Sequence, residues 1–295
     1  MAEISEALQA HLEGGLTTIC HAWRIKRKDG VTFAFTDHDL PLEFDETTFR
    51  PDGGLSAKAL SQTTGLSVDN TEAIGALSDA AIREDEIEQG RFDDAEVIAW
   101  RVNWSDVSQR WLQFRGTIGE ITRVDGMFRA ELRGLTEALN RTLGRAYQKP
   151  CTAVLGDGQC RFDTSKPGFS ATLEVDVEEE GRVFSWESLP DFDDGFFIRG
   201  RLDVLSGPAA GLVGLIKHDR LRDGRRSIEL WEPIRGDVGP GTQIKLLAGC
   251  NKQLETCRVK FDNILNFQGF PDLPGEDWVV AVPKSTGLNS GGSLR

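Results

Sequence analysis

Apolar residues spaced four apart at Ile4, Leu8 and Leu12 predict a short amphipathic helix over Ile4–Glu13, stopped by Gly14-Gly15. The period then changes to two. Ile19, Trp23 and Ile25 fall on one face of a strand near Thr17–Lys26, Lys28-Asp29-Gly30 turns the chain, and Val31, Phe33 and Phe35 alternate on the way back, which is a β-hairpin pattern. Residues 41–76 are rich in Thr, Ser, Gly and Asp and read as short strands and turns. Ser78–Glu88 predicts a second helix, capped by Ser78 or Asp79 and ended by Gly90. Ile98, Trp100, Val102 and Trp104 share one face of a strand over Val97–Trp104. Trp111–Thr122 and Met127–Leu132 extend a meander around Asp125-Gly126, and Thr136–Leu143 predicts a short helix.

The texture changes at Lys149-Pro150-Cys151, which opens an irregular, Gly-rich stretch ending at Cys160-Arg161-Phe162-Asp163. From Ala171 to Leu247 the chain is again β-rich. Leu173, Val175 and Val177 alternate, Ile198, Leu202 and Val204 predict a strand, and Leu212–Ile216 and Ile228–Trp231 predict two more. Gly207-Pro208, Asp223-Gly224 and Gly239-Pro240-Gly241 punctuate them. The expected fold class is mainly β with minor α, in several domains. Residues 1–148 form an N-terminal β-rich domain with short helices. Residues 171–247 form a small β-barrel, inserted into a loop-rich cysteine domain made of 149–170 plus 248–283. Residues 284–295, poor in apolar side chains, form a flexible tail or a partner-binding arm.

Composition narrows the function. No run of eighteen apolar residues occurs, so no transmembrane helix is expected. The N-terminus lacks the basic start and apolar stretch of a secretory signal, which points to synthesis in a cytosol. Formal net charge is −13, from 34 basic against 47 acidic residues. Tight sequence-independent DNA binding needs cations to displace phosphate counterions, so this balance argues against it. An acidic surface suits a part that DNA slides past without sticking. The basic run Arg220–Arg226 reads as a solvated hairpin tip rather than a phosphate site.

Candidate chemistry concentrates in cysteine. Of five cysteines, four fall in two short loop segments with the pattern C-x8-C, a gap of 89 residues, then C-x6-C. They are Cys151, Cys160, Cys250 and Cys257. Loops let several thiolates converge on one point and let backbone N–H groups reach the sulfurs. Structural zinc knuckles use tighter spacers, so wide spacers fit a cuboidal cluster better than one tetrahedral ion. Zinc, four separate buried thiols, or disulfides in an oxidising setting stay open as alternatives. Cys20 lies in a strand and reads as core. Asp37-His38-Asp39 at a hairpin end reads as turn capping rather than an acid–base site. The acidic groups Glu178–Glu180 and Asp191, Asp193 and Asp194 read as solvated. No phosphate loop, nucleophile elbow or His-Glu-x-x-His occurs, and no catalytic residue is assigned.

The run Gly249-Cys250-Asn251-Lys252, Thr256-Cys257-Arg258, Lys260-Phe261-Asp262-Asn263 and Asn266-Phe267-Gln268-Gly269-Phe270-Pro271-Asp272-Leu273-Pro274-Gly275 resembles the C-terminal signature of a phage tail-tip hub family. Thr36-Asp37-His38-Asp39 and Gly90-Arg91-Phe92-Asp93-Asp94-Ala95, followed by Trp100 and Asn103-Trp104, fit the same family. Its members include hub proteins of siphophage-like gene transfer agents and, more distantly, the lambda-type tail tip protein. The resemblance implies a structural baseplate hub subunit in a virion, not an enzyme. It implies a homotrimeric ring between a distal tail protein above and a central tip or fibre (megatron-like) protein below. A tail-associated peptidase is a further implied partner, and DNA would pass through the lumen without specific binding. It also implies a four-iron, four-sulfur cluster on Cys151, Cys160, Cys250 and Cys257, with zinc as the alternative. By its residues, Asn266–Gly275 reads first as a loop that packs the cysteine domain; the alternative readings have Phe267 and Phe270 shield the cluster from water or dock on a neighbouring subunit. The competing class is an iron–sulfur or zinc-dependent redox or electron-transfer protein, for which the chain carries no flavin or nicotinamide fingerprint.

Overall fold

A computed structural model describes residues 4–51, 70–73, 82–124, 127–135, 144–187, 189 and 192–273. The chain divides into two compact units, Met1–Leu143 and Gly144–Arg295. Both are mainly β. No helix among the described residues is long and apolar enough to cross a membrane.

The first unit opens with helix α1 (Glu6–Glu13), whose N-cap Ser5 accepts the Leu8 N–H at 3.4 Å. Leu8 is the buried anchor of α1, while Ile4 and Leu12 stay largely exposed, so the apolar stripe is narrower than the four-residue spacing suggests. Strands β1 (Ile19–Lys26), β2 (Thr32–Thr36), β3 (Leu42–Phe44), β4 (Thr47–Phe49) and β5 (Asn70–Ala73) follow. Helix α2 (Glu84–Glu88) and strands β6 (Glu96–Asn103), β7 (Arg110–Val124) and β8 (Met127–Gly134) complete the described part of the unit. Helix α2 starts at Glu84 after Arg83, which makes no side-chain cap, and Gly90 follows it with φ 72°. The expected caps Ser78 and Asp79, the Asp125-Gly126 turn and the helix expected over Thr136–Leu143 lie outside the described residues.

Six strands pair in the order β2-β1-β6-β7-β8-β5, while β3 and β4 make a separate hairpin. The central strands are buried on both faces, which explains their near-continuous apolar runs. Odd positions Trp23, Ile25, Val97 and Ala99 pack with Phe92, Phe114, Ile118 and Leu132 on one face. Even positions Cys20, Ala22, Ile98, Trp100 and Val102 pack on the other against Leu42, Phe44 and Phe49 from the small hairpin. Phe44 and Phe49 stack 4.2 Å apart, and both meet Trp100 edge-on. Trp104 lies just past β6 and is exposed rather than sharing the face of Trp100.

The second unit holds strands β9 (Ser170–Glu174), β10 (Val177–Glu179), β11 (Val183–Trp186), β12 (Arg201–Val204), β13 (Val213–Arg222), β14 (Arg225–Leu230) and β15 (Gln243–Leu247). Helix α3 (Leu254–Val259) and a 3-10 turn at Ile264–Asn266 follow. The seven strands run β10-β11-β14-β13-β12-β15-β9, each pair antiparallel. The two ends of that order, β9 and β10, are separated in sequence only by Val175-Asp176, so the sheet curls and brings its edge strands near each other as a half-barrel. The indole N–H of Trp186 on β11 donates to the Glu174 carbonyl at 2.7 Å and ties the seam. Inside lie Phe184, Phe197, Leu202, Val204, Ile216, Ile228, Leu230, Ile244 and Leu246. Ile198 does not join β12 as its spacing suggested; it sits in the preceding turn, exposed.

The β13–β14 hairpin corrects the sequence reading at one point. Its tip is Asp223-Gly224, with φ 50° and 80°, as a two-residue turn between twisted strands requires. Arg220, Arg222 and Arg225 are exposed, but Arg226 points inward beside Ile228 and Leu230 and is fully buried. Its partner is Asp219. A register shift between Ile216 and His218 changes the parity of β13, so Asp219 faces the same interior as Ile216. Arg226 Nε and Nη2 donate to the two Asp219 oxygens at 2.7 and 2.8 Å. Its remaining donors reach the carbonyls of Leu189, Phe192 and Asp193. Asp219 also accepts the Phe197 N–H at 2.8 Å. The pair therefore fastens the 189–197 loop to the barrel interior, with every hydrogen-bonding group of the guanidinium placed.

Candidate metal centre

Cys151, Cys160, Cys250 and Cys257 line one small pocket. Ala153, Leu155, Lys252, Phe261, Asn263 and Phe267 share the lining. All five cysteines of the chain are free thiols, so the four do not pair as disulfides. Cys20 lies apart, in the core of the first unit, where burial pushes its thiol up to about 11.

The two cysteine segments are built by local backbone chemistry. Asp157 makes the first one: its Oδ2 accepts the Val154 N–H at 2.7 Å, and its Oδ1 accepts those of Gln159 and Cys160 at 2.9 and 2.6 Å. Those N–H groups hold the Asp157 carboxyl below the usual carboxylate range. The second segment starts from β15, passes Gly249 and enters α3, which carries Cys257. The Cys151 N–H donates to the Lys252 carbonyl at 2.8 Å, and Lys252 Nζ returns a bond to the Ala153 carbonyl. Arg161, Lys252 and Asp262 adopt left-handed backbone, with φ of 55°, 67° and 46°. Such conformations are sparsely populated by side-chain-bearing residues and cluster where a site dictates the backbone.

Asn263 joins the two segments. Its Nδ2 donates to the Cys160 carbonyl at 2.7 Å and lies 3.5 Å from Cys160 Sγ. Its backbone N–H donates to the Cys257 carbonyl, and Cys257 Sγ donates to its carbonyl at 3.3 Å. The Gln268 N–H points at Cys151 Sγ from 3.4 Å. Sulfurs that receive N–H donors are the arrangement thiolate ligands use. Beneath them Phe162, Phe169 and Phe261 meet with ring centroids 4.8 to 5.7 Å apart and pack against Cys160 and Cys250. Phe267 lines the cavity, whereas Phe270 turns away, stacking on Tyr147 under the Arg145 guanidinium. Of the two phenylalanines proposed as a shield, only Phe267 is placed for it.

The four thiols face one another across this pocket. Burial and the three neighbouring cysteines push the Cys257 thiol up to about 11. Ionising all four thiols in so small a space is unfavourable until metal charge offsets them. Among the described residues no group of three or more His, Cys, Asp or Glu side chains is placed to hold a metal ion. Lys260 stands beside the pocket. Burial pushes its ammonium down to about 8, against the opposing pull of Cys250 and Asp219.

Two glycines test how tightly the backbone is set here. A Cβ on Gly249 would meet the Ile198 carbonyl oxygen at 1.7 Å, whereas one on Gly158 meets nothing within 4 Å. Gly249→Ala is expected to lower stability by about 1–3 kcal/mol through forced backbone movement. Gly158→Ala is expected to stay within about 0.5 kcal/mol of the parent. Urea unfolding of the two variants side by side checks the difference.

The other candidate sites are structural. Asp37 accepts both the backbone N–H and the ring Nδ1 of His21, at 2.6 and 2.8 Å. Against its burial, those bonds hold Asp37 below the usual carboxylate range. His38 Nδ1 accepts the Leu40 N–H at 3.0 Å, and its ring lies 5.0 Å from that of Trp104. His11 is half-buried and accepts the Thr18 N–H at 2.9 Å. Glu178 accepts the N–H of Gly181 and closes its turn. Asp157, Asn263 and Lys260 were not singled out by sequence reasoning. The available signal was Asx-turn chemistry in Gly-Asp-Gly-Gln-Cys for the first; Lys260 and Asn263 stand in the run that resembles the hub-family signature, which gave neither a role.

Two family models and a solved structure resemble this chain. Residues 5–163 match the family model described as baseplate hub protein, N-terminal attachment domain. Residues 195–277 match a second model, described as phage conserved hypothetical protein BR0599. Cys151 and Cys160 fall in the first match and Cys250 and Cys257 in the second. A chain from a solved structure described as the virion of a native gene transfer agent particle is 49% identical, with a TM-score of 0.89. The similarity covers 99% of this chain and 100% of that one. A comparison with curated proteins found no match. The chain is thus of the phage-tail class of β-rich structural proteins. It belongs to the baseplate hub protein family.

Proposed function

We propose that this chain is a structural hub subunit of a phage-like tail tip, carried in the virion and stapled by an iron–sulfur cluster. Three copies form a ring between the distal tail protein and the central tip or fibre protein, with a tail-associated peptidase as a further partner. DNA passes through the lumen without specific contacts, as the net charge of −13 favours. Within the subunit, residues 1–148 serve as the N-terminal hub domain. Residues 171–247 serve as a barrel inserted into the cysteine domain of 149–170 plus 248–283.

The observation that carries the reading is the meeting of two distant cysteine pairs on one cavity, in a chain of the baseplate hub family. Cys151, Cys160, Cys250 and Cys257 would hold a four-iron, four-sulfur cluster. When bound, such a centre cross-links four thiolates, so its binding energy becomes folding energy for loops with little core of their own. The chain's residues prepare the place: Asp157 sets the Cys160 turn, and Asn263 locks Cys160 to Cys257. The Phe162–Phe169–Phe261 stack keeps water from the inner side. Full-length similarity to a chain of a gene-transfer-agent virion supports the structural role.

Native mass spectrometry of the anaerobically purified chain with its distal tail partner tests the assembly. Three copies per complex are expected. A complex that stays at one copy at any concentration would refute the ring.

A further inference from the structure

We propose that Lys260 is the built-in counter-charge of the cysteine centre, fixed in place from the barrel side, and that it raises the centre's reduction potential. The inference rests on the proposed cluster and adds a role for a residue that supplies no ligand.

Lys260 follows α3, three residues after Cys257. Its Nζ donates to the Phe196 carbonyl at 2.7 Å and to the Gly249 carbonyl at 3.0 Å, immediately before Cys250 in the chain. It sits 3.9 Å from the centroid of the Phe196 ring and 5.4 Å from that of Phe261, which lines the cysteine cavity. The ammonium therefore does not lie free on the surface. It is held between two aromatic faces and two carbonyls, one of them on Gly249, the residue before Cys250.

The far side of this grip is equally fixed. Phe196 belongs to the loop that Arg226 and Asp219 fasten to the barrel interior, since Asp219 accepts the N–H of Phe197 and Arg226 binds the carbonyls of Phe192 and Asp193. The Gly249 N–H returns a bond to the Phe196 carbonyl at 3.1 Å. Carbonyl, ammonium and glycine thus form a compact joint between the 189–197 loop and the second cysteine segment. A side chain so anchored keeps its charge at one place relative to the sulfurs.

Four thiolates bring four negative charges, which an iron–sulfur core offsets only in part. A fixed cation beside them lowers the energy of every state, and most of all the more negative, reduced one. Charges held close together in a partly buried site are screened far less than in water, so the fixed ammonium bears on the sulfurs. Removing the charge should therefore shift the reduced-to-oxidised ratio at a given potential by at least about tenfold, or about 59 mV for one electron.

The test uses the full-length chain, purified without oxygen, as Lys260→Gln and Lys260→Arg. Gln keeps two donors for the Phe196 and Gly249 carbonyls and removes the charge; Arg keeps the charge. Iron and sulfide are measured first, then the midpoint potential by spectroscopically monitored titration with dithionite. Lys260→Gln is expected to retain iron and sulfide with a lower potential, and Lys260→Arg to stay near the parent. Loss of the centre in Lys260→Gln but not in Lys260→Arg also supports the counter-charge role. An unchanged potential in Lys260→Gln, or loss of the centre in both variants, overturns it. Absence of iron and sulfide from the parent protein would instead overturn the cluster itself.

Discussion

Exchanging Cys250 and Cys257 together for serine is expected to reduce bound iron to background and to release the segments around the cavity. Both residues lie in the second cysteine segment, so two of four ligands vanish while the barrel and the first unit keep their own cores. The cysteine region has a small core of Phe162, Ala248 and Phe261, with few apolar partners to hold the loops once the metal bonds are gone. Hydrogen exchange should show loss of protection over 151–160 and 250–268, with strands β1, β6 and β7 unaffected. Particles assembled from the variant should lack a functional tail tip. Normal gene or genome delivery from the double variant would count strongly against a stapling role.

The second large effect is expected from Asp219→Ala. It leaves the Arg226 guanidinium, fully enclosed by the barrel, without its counter-ion, and leaves the Phe197 N–H without an acceptor. Breaking a buried pair from one side costs about 3–5 kcal/mol, because an uncompensated charge stays inside. Chemical unfolding should register that loss. Because the pair also fastens the loop carrying Phe196, the variant should hold the cysteine centre less tightly. A change under about 1 kcal/mol would mean that Arg226 finds water or another partner.

The pattern of apolar residues made much of this fold legible, for reasons visible in individual strands. In β6 both parities are apolar, so Ile98, Trp100 and Val102 could be placed on one face and Val97 and Ala99 cover the other. The turn at Asp223-Gly224 needed only backbone chemistry to be read, whereas Cys257, expected in a loop, stands on α3. What escaped was set by tertiary context. Arg226 stands in a run of arginines that looks solvated. Only the irregularity between Ile216 and His218, invisible in a hydropathy pattern, places an aspartate inside to meet it. Lys260 escaped because a lysine between apolar neighbours is usually a solvated chain. Its burial follows from two carbonyls contributed by residues 11 and 64 positions away. Ile198 was assigned to a strand on spacing alone, yet Gly195 and Gly200 bracket it in a turn.

Iron and acid-labile sulfide, measured on the parent chain purified without oxygen, bear most directly on the role given to Cys151, Cys160, Cys250 and Cys257. A brown protein holding iron and sulfide in equal, stoichiometric amounts, and losing both with its fold under a chelator, is the predicted result. A colourless protein that folds and assembles fully with four reduced thiols and no metal would contradict the account.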